Sequence, residues 1–273
     1  MNAVTELIKN QTPTTEAPIL LRDDRDGVAT LTLNRPKQYN ALSEAMLAAL
    51  QSELDRLATD SSIRVVVLAA NGKAFCAGHD LKEMRSKPEQ TYYTDLFKQC
   101  SRMMLTIHRL PQPVIARVHG IATAAGCQLV AACDLAVAAD TAKFATSGIN
   151  AGLFCATPAV PVSRNVPRKQ AIEMLLTGDF IDAHTAMQWG LVNRVVPAEN
   201  LDAAVDELVQ SILSKSFVAV STGKQMFYQQ LEMGLSDAYH YASEVMACNM
   251  MAEDAGEGID AFIQKRPAMW KHR

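Results

Sequence analysis

A chain of 273 residues, 49% apolar and 20% charged with a net charge of −3, can bury a sizeable core as one large domain or a large domain with an appendage. That balance gives no electrostatic footprint for nucleic acid or an anionic membrane, and the lack of a basic run disfavours RNA binding. No apolar run approaches the roughly 20 residues needed to span a bilayer, so neither a membrane nor a nucleic acid is expected as a partner. The polar N-terminus has no apolar core and no arginine before Arg22, and reads as neither a signal peptide nor a transit peptide. Cys76, Cys100, Cys127, Cys133, Cys155 and Cys248 show no C-x-x-C spacing and read as reduced core thiols of a cytoplasmic protein.

Residues 1–17 read as a flexible N-terminal arm. Ile19–Arg22 and Val28–Leu33 alternate apolar and polar residues around Asp26-Gly27, a strong hairpin signal, and Asn34-Arg35-Pro36 ends the second strand. Ser43 can cap a helix that puts Leu47, Leu50, Leu54 and Leu57 on one face. Arg64–Ala69 reads as a buried strand and Asn71-Gly72 as a turn. Phe75-Cys76-Ala77-Gly78 then leads into a helix beginning near His79 or Asp80. A longer helix, Tyr92–Arg109, ends before Pro111 and Pro113.

Val114–Val118 is an apolar β-branched run, again a buried strand. Gly120, Ala122, Ala124, Ala125 and Gly126 let the backbone turn tightly and approach a ligand. Gln128–Ala132 is helix-compatible, and a second apolar run, Leu135–Ala138, follows. A helix start reached through small residues presents unpaired N–H groups that favour a negatively charged oxygen, so any chemistry is expected here. Strand, small-residue loop ending Ala-Gly, and helix occur twice, at 64–84 and 114–132. That echo suggests stacked ββα turns rather than a Rossmann sheet. Neither G-x-G-x-x-G nor a P-loop is present, so dinucleotide or ATP binding has no motif support. Arg168–Thr177 and Asp182–Trp189 are helix-compatible, Arg194–Val196 precedes a break at Pro197, and from Asn200 the pattern is helical without a strand. Met226, Met233, Met246, Met250 and Met251 cluster there, as in a core or a subunit interface.

Several pieces now meet a family: LNRPKQYNAL (33–42), GKAFCAGHDLKEM (72–84), PVIARVHGIATAAGCQLVAACDLAVA (113–138), FATSGINAGL (144–153), MLLTGDFIDAHTAMQWGLVNRVVP (174–197) and FIQKRPAMW (262–270). In this order, over nearly the whole chain, the sequence resembles the enoyl-CoA hydratase/isomerase (crotonase) superfamily. GHDLKEM, AAGCQLVA, FATSGINAGLFCATP and VPRK look closest to one branch of it. The resemblance implies an α/β fold, a crotonase-like spiral of ββα units over 18–197. A C-terminal helical oligomerisation region would follow over 198–273, making a homotrimer or a dimer of trimers. It implies an acyl-CoA thioester of fatty-acid metabolism as ligand, with coenzyme A only as part of the substrate and no other cofactor or metal.

By the same resemblance, the backbone N–H groups of His79 and Ala125 form an oxyanion hole for the thioester carbonyl. Hydratases of the family add water with two glutamates, whose positions here hold Gln128 and Gly148. Gln128 can orient a water but cannot take its proton, and Gly148 has no side chain, so hydration is expected to be weak or absent. A reaction needing only enolate stabilisation, such as decarboxylation of a malonyl-type thioester, is then expected; the alternative is a catalytically silent acyl-CoA-binding or scaffold protein. Of the possible substitutes, Cys127 and Cys155 read as small core residues. Thr146, Ser147 and Asn150 could position water or substrate, Asp80 reads as a helix cap, and His184 falls away from the pocket. A side-chain role for His79 stays open. The coenzyme A site would use Ala77, Gly78 and Asp80 within Phe75–Asp80, with Lys37 and Lys82. Phe262 and Lys265 would close over the nucleotide of a neighbouring subunit, and Phe154 and Met84 hint at an apolar acyl pocket.

Overall fold

The computed structural model describes residues 17–273, so the expected arm at 1–17 lies outside the described residues except for its last position. Asp26 and Gly27, with φ of 49° and 80°, close a hairpin between β1 (Leu20–Arg25) and β2 (Val28–Leu33). β2 then runs parallel to β3 (Val65–Ala70), followed by β5 (Val114–Val118), β7 (Leu135–Ala139) and β10 (Arg194–Val196). The central strands are apolar without alternation because both faces are covered. Val66 and Leu68 join the main core with α1 (Glu44–Leu57), α3 (Gln90–Arg109) and α4 (Ala125–Ala132). Val65 and Val67 pack on the other face against Leu201, Val205 and Val209 of α8 (Leu201–Leu213).

A second sheet, not expected from the sequence, orders four short strands: β4 (Ala74–Cys76), β6 (Ile121–Thr123), β8 (Lys143–Ala145) and β9 (Ile181–Asp182). Each ββα turn gives its first strand to the large sheet and its second to the small one. The turns end in α2 (Leu81–Ser86), in α4, and in α5 (Ala156–Asn165), so the twofold echo of the sequence is the start of a threefold spiral. α5 carries Pro158 and Pro161 within it, which hides it from a propensity reading. β6 also interrupts the stretch expected to be one loop, and α4 begins at Ala125 rather than Gln128.

α6 (Arg168–Thr177) and α7 (Ala183–Gln188) complete the spiral. α9 (Phe217–Gln230), α10 (Leu235–Met250) and α11 (Glu253–Gln264) follow α8 as an all-helical end. Met246, Met250 and Met251 are exposed there, so the core half of the methionine expectation fails for these three. Cys248 is exposed too, whereas the other five cysteines are buried thiols as expected. One buried cluster ties the helical end to the spiral. Lys224 Nζ of α9 donates to the carbonyls of Ile107 (2.8 Å) and Gln112 (2.9 Å) and to Asp134 Oδ2 (2.7 Å). Asp134 also accepts from the Val114 N–H (2.6 Å) and the Tyr228 hydroxyl (2.8 Å).

Candidate functional site

The site grows from two loops, one from each of the first two ββα turns. After β4, Gly78 (φ 91°) swings the chain so that Leu42 bridges His79 in parallel. The Leu42 N–H donates to the Gly78 carbonyl (2.8 Å) and the Asp80 N–H to the Leu42 carbonyl (3.4 Å). In that pattern the N–H of His79 itself points away from Leu42. The second loop lies close by: a Cβ on Gly78 would stand 2.9 Å from Ala124 Cβ and 3.2 Å from the Ala125 nitrogen. A Cβ on Gly126 would come 2.0 Å from the Cys76 carbonyl oxygen, so only glycine lets the first turn of α4 rest on β4.

Ala124 enters α4 at φ 51° and ψ −120°, a conformation that costs a residue with a side chain about 1–3 kcal/mol. Its N–H is tied to the Ala145 carbonyl (3.0 Å). No side chain caps α4, and all eight of its residues are buried. Among the described residues, the N–H groups of His79 and Ala125 have no protein acceptor. A buried, uncapped helix start beside a second free N–H is a ready site for a partly negative oxygen.

Two side chains share this lack of partners. Gln128, one turn along α4, is 3% exposed, and its Oε1 is buried without a hydrogen bond. Both ring nitrogens of His79 are likewise buried and unpartnered. The ring meets Phe97 of α3 edge-on, with centroids 5.5 Å apart. Burial pushes the imidazole below its usual value, and the Leu42 carbonyl works the other way.

At Gly148, the N–H donates to Cys155 Sγ (3.3 Å). A Cβ there would lie 2.7 Å from that sulfur and 2.7 Å from the Leu153 carbonyl oxygen, so the position has no space for a side chain.

The other singled-out residues divide by their partners. Thr146 Oγ1 donates to the Met174 carbonyl (2.6 Å) and Asn150 Nδ2 to the Gly178 carbonyl (3.4 Å), so both side chains are spent on the fold. Ser147 shares a 2.6 Å hydrogen bond with Thr123, a hydroxyl at the end of β6 that no sequence pattern marks. Asp80 accepts from the N–H groups of Lys82 and Glu83 and pairs with Arg35 at 3.1 Å. Burial works upward on its carboxyl, but these bonds outweigh it and hold it below the usual range, as suits a helix cap. Burial pushes the Cys127 thiol up to about 12 and raises that of Cys155, so neither is an activated nucleophile. Ala77 lies beside Gly78, while Lys37 and Lys82 are exposed. Met84 is buried and Phe154 half exposed. Phe262 is 85% exposed near the end of α11 and Lys265 follows it, on a helix held by the C-terminal tail through Asp254 and Glu257.

Known proteins share this arrangement of elements. A family described as enoyl-CoA hydratase/isomerase matches residues 23–273. The enoyl-CoA hydratase domain-containing protein 3 of Xenopus laevis is 43% identical over 255 residues, 93% of this chain and 87% of that protein. This is the branch to which GHDLKEM and AAGCQLVA point. The crystal structure of the human protein of that name superposes with a TM-score of 0.90 at 45% identity, covering 93% of this chain and 100% of the other. A structure titled enoyl-CoA hydratase, from Mycobacterium smegmatis, gives a TM-score of 0.92 at 60% identity, covering 93% and 99%. The frog, rat, mouse and human relatives are named mitochondrial, which overturns the cytoplasmic expectation drawn from composition and thiols. By the family match, the sequence identity and the shared fold, the chain belongs to the enoyl-CoA hydratase/isomerase family, in the branch of domain-containing protein 3.

Proposed function

We propose that this chain binds an acyl-CoA thioester of fatty-acid or related metabolism and polarises its carbonyl oxygen between the N–H groups of His79 and Ala125. The observation that carries the reading is the contact of the two loops at Gly78 and Ala125, with neither donor satisfied by the protein. Each such donor is worth about 2.7–4 kcal/mol to a developing enolate. Gln128 and the closed position at Gly148 supply no acid or base, and each missing group costs about 10²–10⁴-fold in rate. Hydration is therefore weak, and the fitting reaction is one in which the substrate makes its own enolate. Loss of CO2 from a malonyl-type thioester does this: the breaking C–C bond leaves its electron pair on the α-carbon.

Exposed apolar side chains on α9, α10 and α11, among them Phe227, Leu235, Tyr239 and Phe262, support self-association as a trimer or dimer of trimers. Across such an interface Phe262 and Lys265 would close over the nucleotide, whose pantetheine would run past Ala77, Gly78 and Asp80, with Lys37 and Lys82 near the phosphates. The closed space at Gly148 also favours a second reading, a silent acyl-CoA-binding protein.

The test is loss of crotonyl-CoA absorbance at high protein concentration, beside CO2 release from methylmalonyl-CoA, with acetyl-CoA binding measured in parallel. Binding with hydration near background and CO2 release supports the proposal. Binding alone supports the silent reading, and hydration at ordinary hydratase rates or no binding overturns it.

A further inference from the structure

An imidazole with both nitrogens buried and unpaired is costly, because each has given up its hydrogen bond to water. His79 carries this burden on the residue whose backbone N–H is free at the loop junction. Around it the other polar groups are engaged. Asp80 is held by Arg35 and by the start of α2, Glu83 accepts the Glu44 N–H, and Glu44 in turn meets Lys87 and Tyr92. On α3, Tyr93 donates to the Met84 carbonyl, and Lys98 and Arg102 line an open groove beside Phe97. No ionic partner therefore fixes the charge of the ring, and burial disfavours its protonated form. Gln128, whose Oε1 is also buried without a partner, lies on the first turns of α4. Unpaired groups carried by the two elements that meet at Gly78 and Ala125 are explained by a ligand that pairs with them.

Resting on the acyl-CoA reading above, we propose that the His79 side chain is the group that moves the acyl α-proton at this site, replacing both carboxylates. A neutral ring nitrogen takes the proton from the α-carbon, and the C–H electron pair becomes the enolate. The charge on the thioester oxygen is held by the N–H groups of His79 and Ala125. The imidazolium then returns a proton to the α-carbon and the enolate collapses to the thioester. The same ring can return a proton to the enolate left by a departing CO2, provided it has first taken one from water. Gln128 holds the ligand or a water and takes no proton.

The experiment follows deuterium entering the α-carbon of butyryl-CoA in D2O, by mass spectrometry, with binding of butyryl-CoA measured on the same preparations. The intact protein is expected to bind and exchange. Exchange should be level above neutrality and fall in acid, with a midpoint below the usual imidazole range, because the ring works only when neutral. His79→Gln keeps the backbone donor and a polar side chain. It should bind within a few-fold of the parent and lose exchange by about 10²-fold or more, together with the acid limb. Should that variant fail to fold, the acid limb of the unaltered protein carries the test. Binding without exchange, exchange retained in a folded His79→Gln, or no acid limb overturns the proposal while leaving the acyl-CoA reading standing. Absence of binding overturns both.

Discussion

The two ends of α4 hold buried polar groups under opposite rules. Just past its C-terminus, the Asp134 carboxylate is saturated by Lys224, the Tyr228 hydroxyl and the Val114 N–H, and Lys224 fills its remaining donors with two carbonyls. At its N-terminus the Ala125 and His79 N–H groups, the His79 ring and Gln128 Oε1 have no partners. One helix is thus clamped at one end by a hydrogen-bonded ion pair and left open at the other. Most buried polarity that serves the fold is satisfied within the fold. The groups left unsatisfied at the open end are where we propose that the thioester binds, and the clamp at Asp134 holds the other end of the same helix.

The largest expected effect breaks the closed end. Lys224→Met leaves Asp134 buried without its cation and is expected to cost about 3–5 kcal/mol in urea unfolding, with part recovered when Asp134→Asn is added. Next comes the wall of the open end. Gly148→Ala drives a methyl into Cys155 and the Leu153 carbonyl and should cost about 1–3 kcal/mol. For the same reason Gln128→Glu combined with Gly148→Glu should leave crotonyl-CoA hydration near background, measured by enoyl absorbance. Restored turnover would mean the wall moves freely. The smallest effect sharpens the comparison at the strained entry to α4. Ala124→Gly, relieving φ 51°, should stabilise the chain by up to about 1 kcal/mol in the same unfolding assay.

How much of this was legible in the sequence follows from what carries each feature. The large sheet and α1 were readable because β-branched runs such as Val65–Leu68 and the Leu47–Leu57 face announce burial within a short window. The small sheet was not, since strands of two or three residues such as Ala74–Cys76 are shorter than any period they could display. Pro158 and Pro161 concealed α5. The motifs located the His79 and Ala125 loops, and the small residues gave the physical reason. Three features of the site are tertiary. The closure at Gly148 depends on the placement of Cys155, the loss of Thr146 to Met174 on the turn of another helix, and the isolation of the His79 ring on Phe97 from α3. No local pattern encodes them.

The most direct measurement is the infrared carbonyl band of butyryl-CoA carrying ¹³C at the thioester carbon, recorded free and bound to the protein. If the N–H groups of His79 and Ala125 both donate to the thioester oxygen, the bound band shifts to lower frequency, because the C=O bond weakens as charge moves onto oxygen. A bound ligand whose band stays at its solution position would contradict the account, since the open end of α4 would then be holding something other than the thioester.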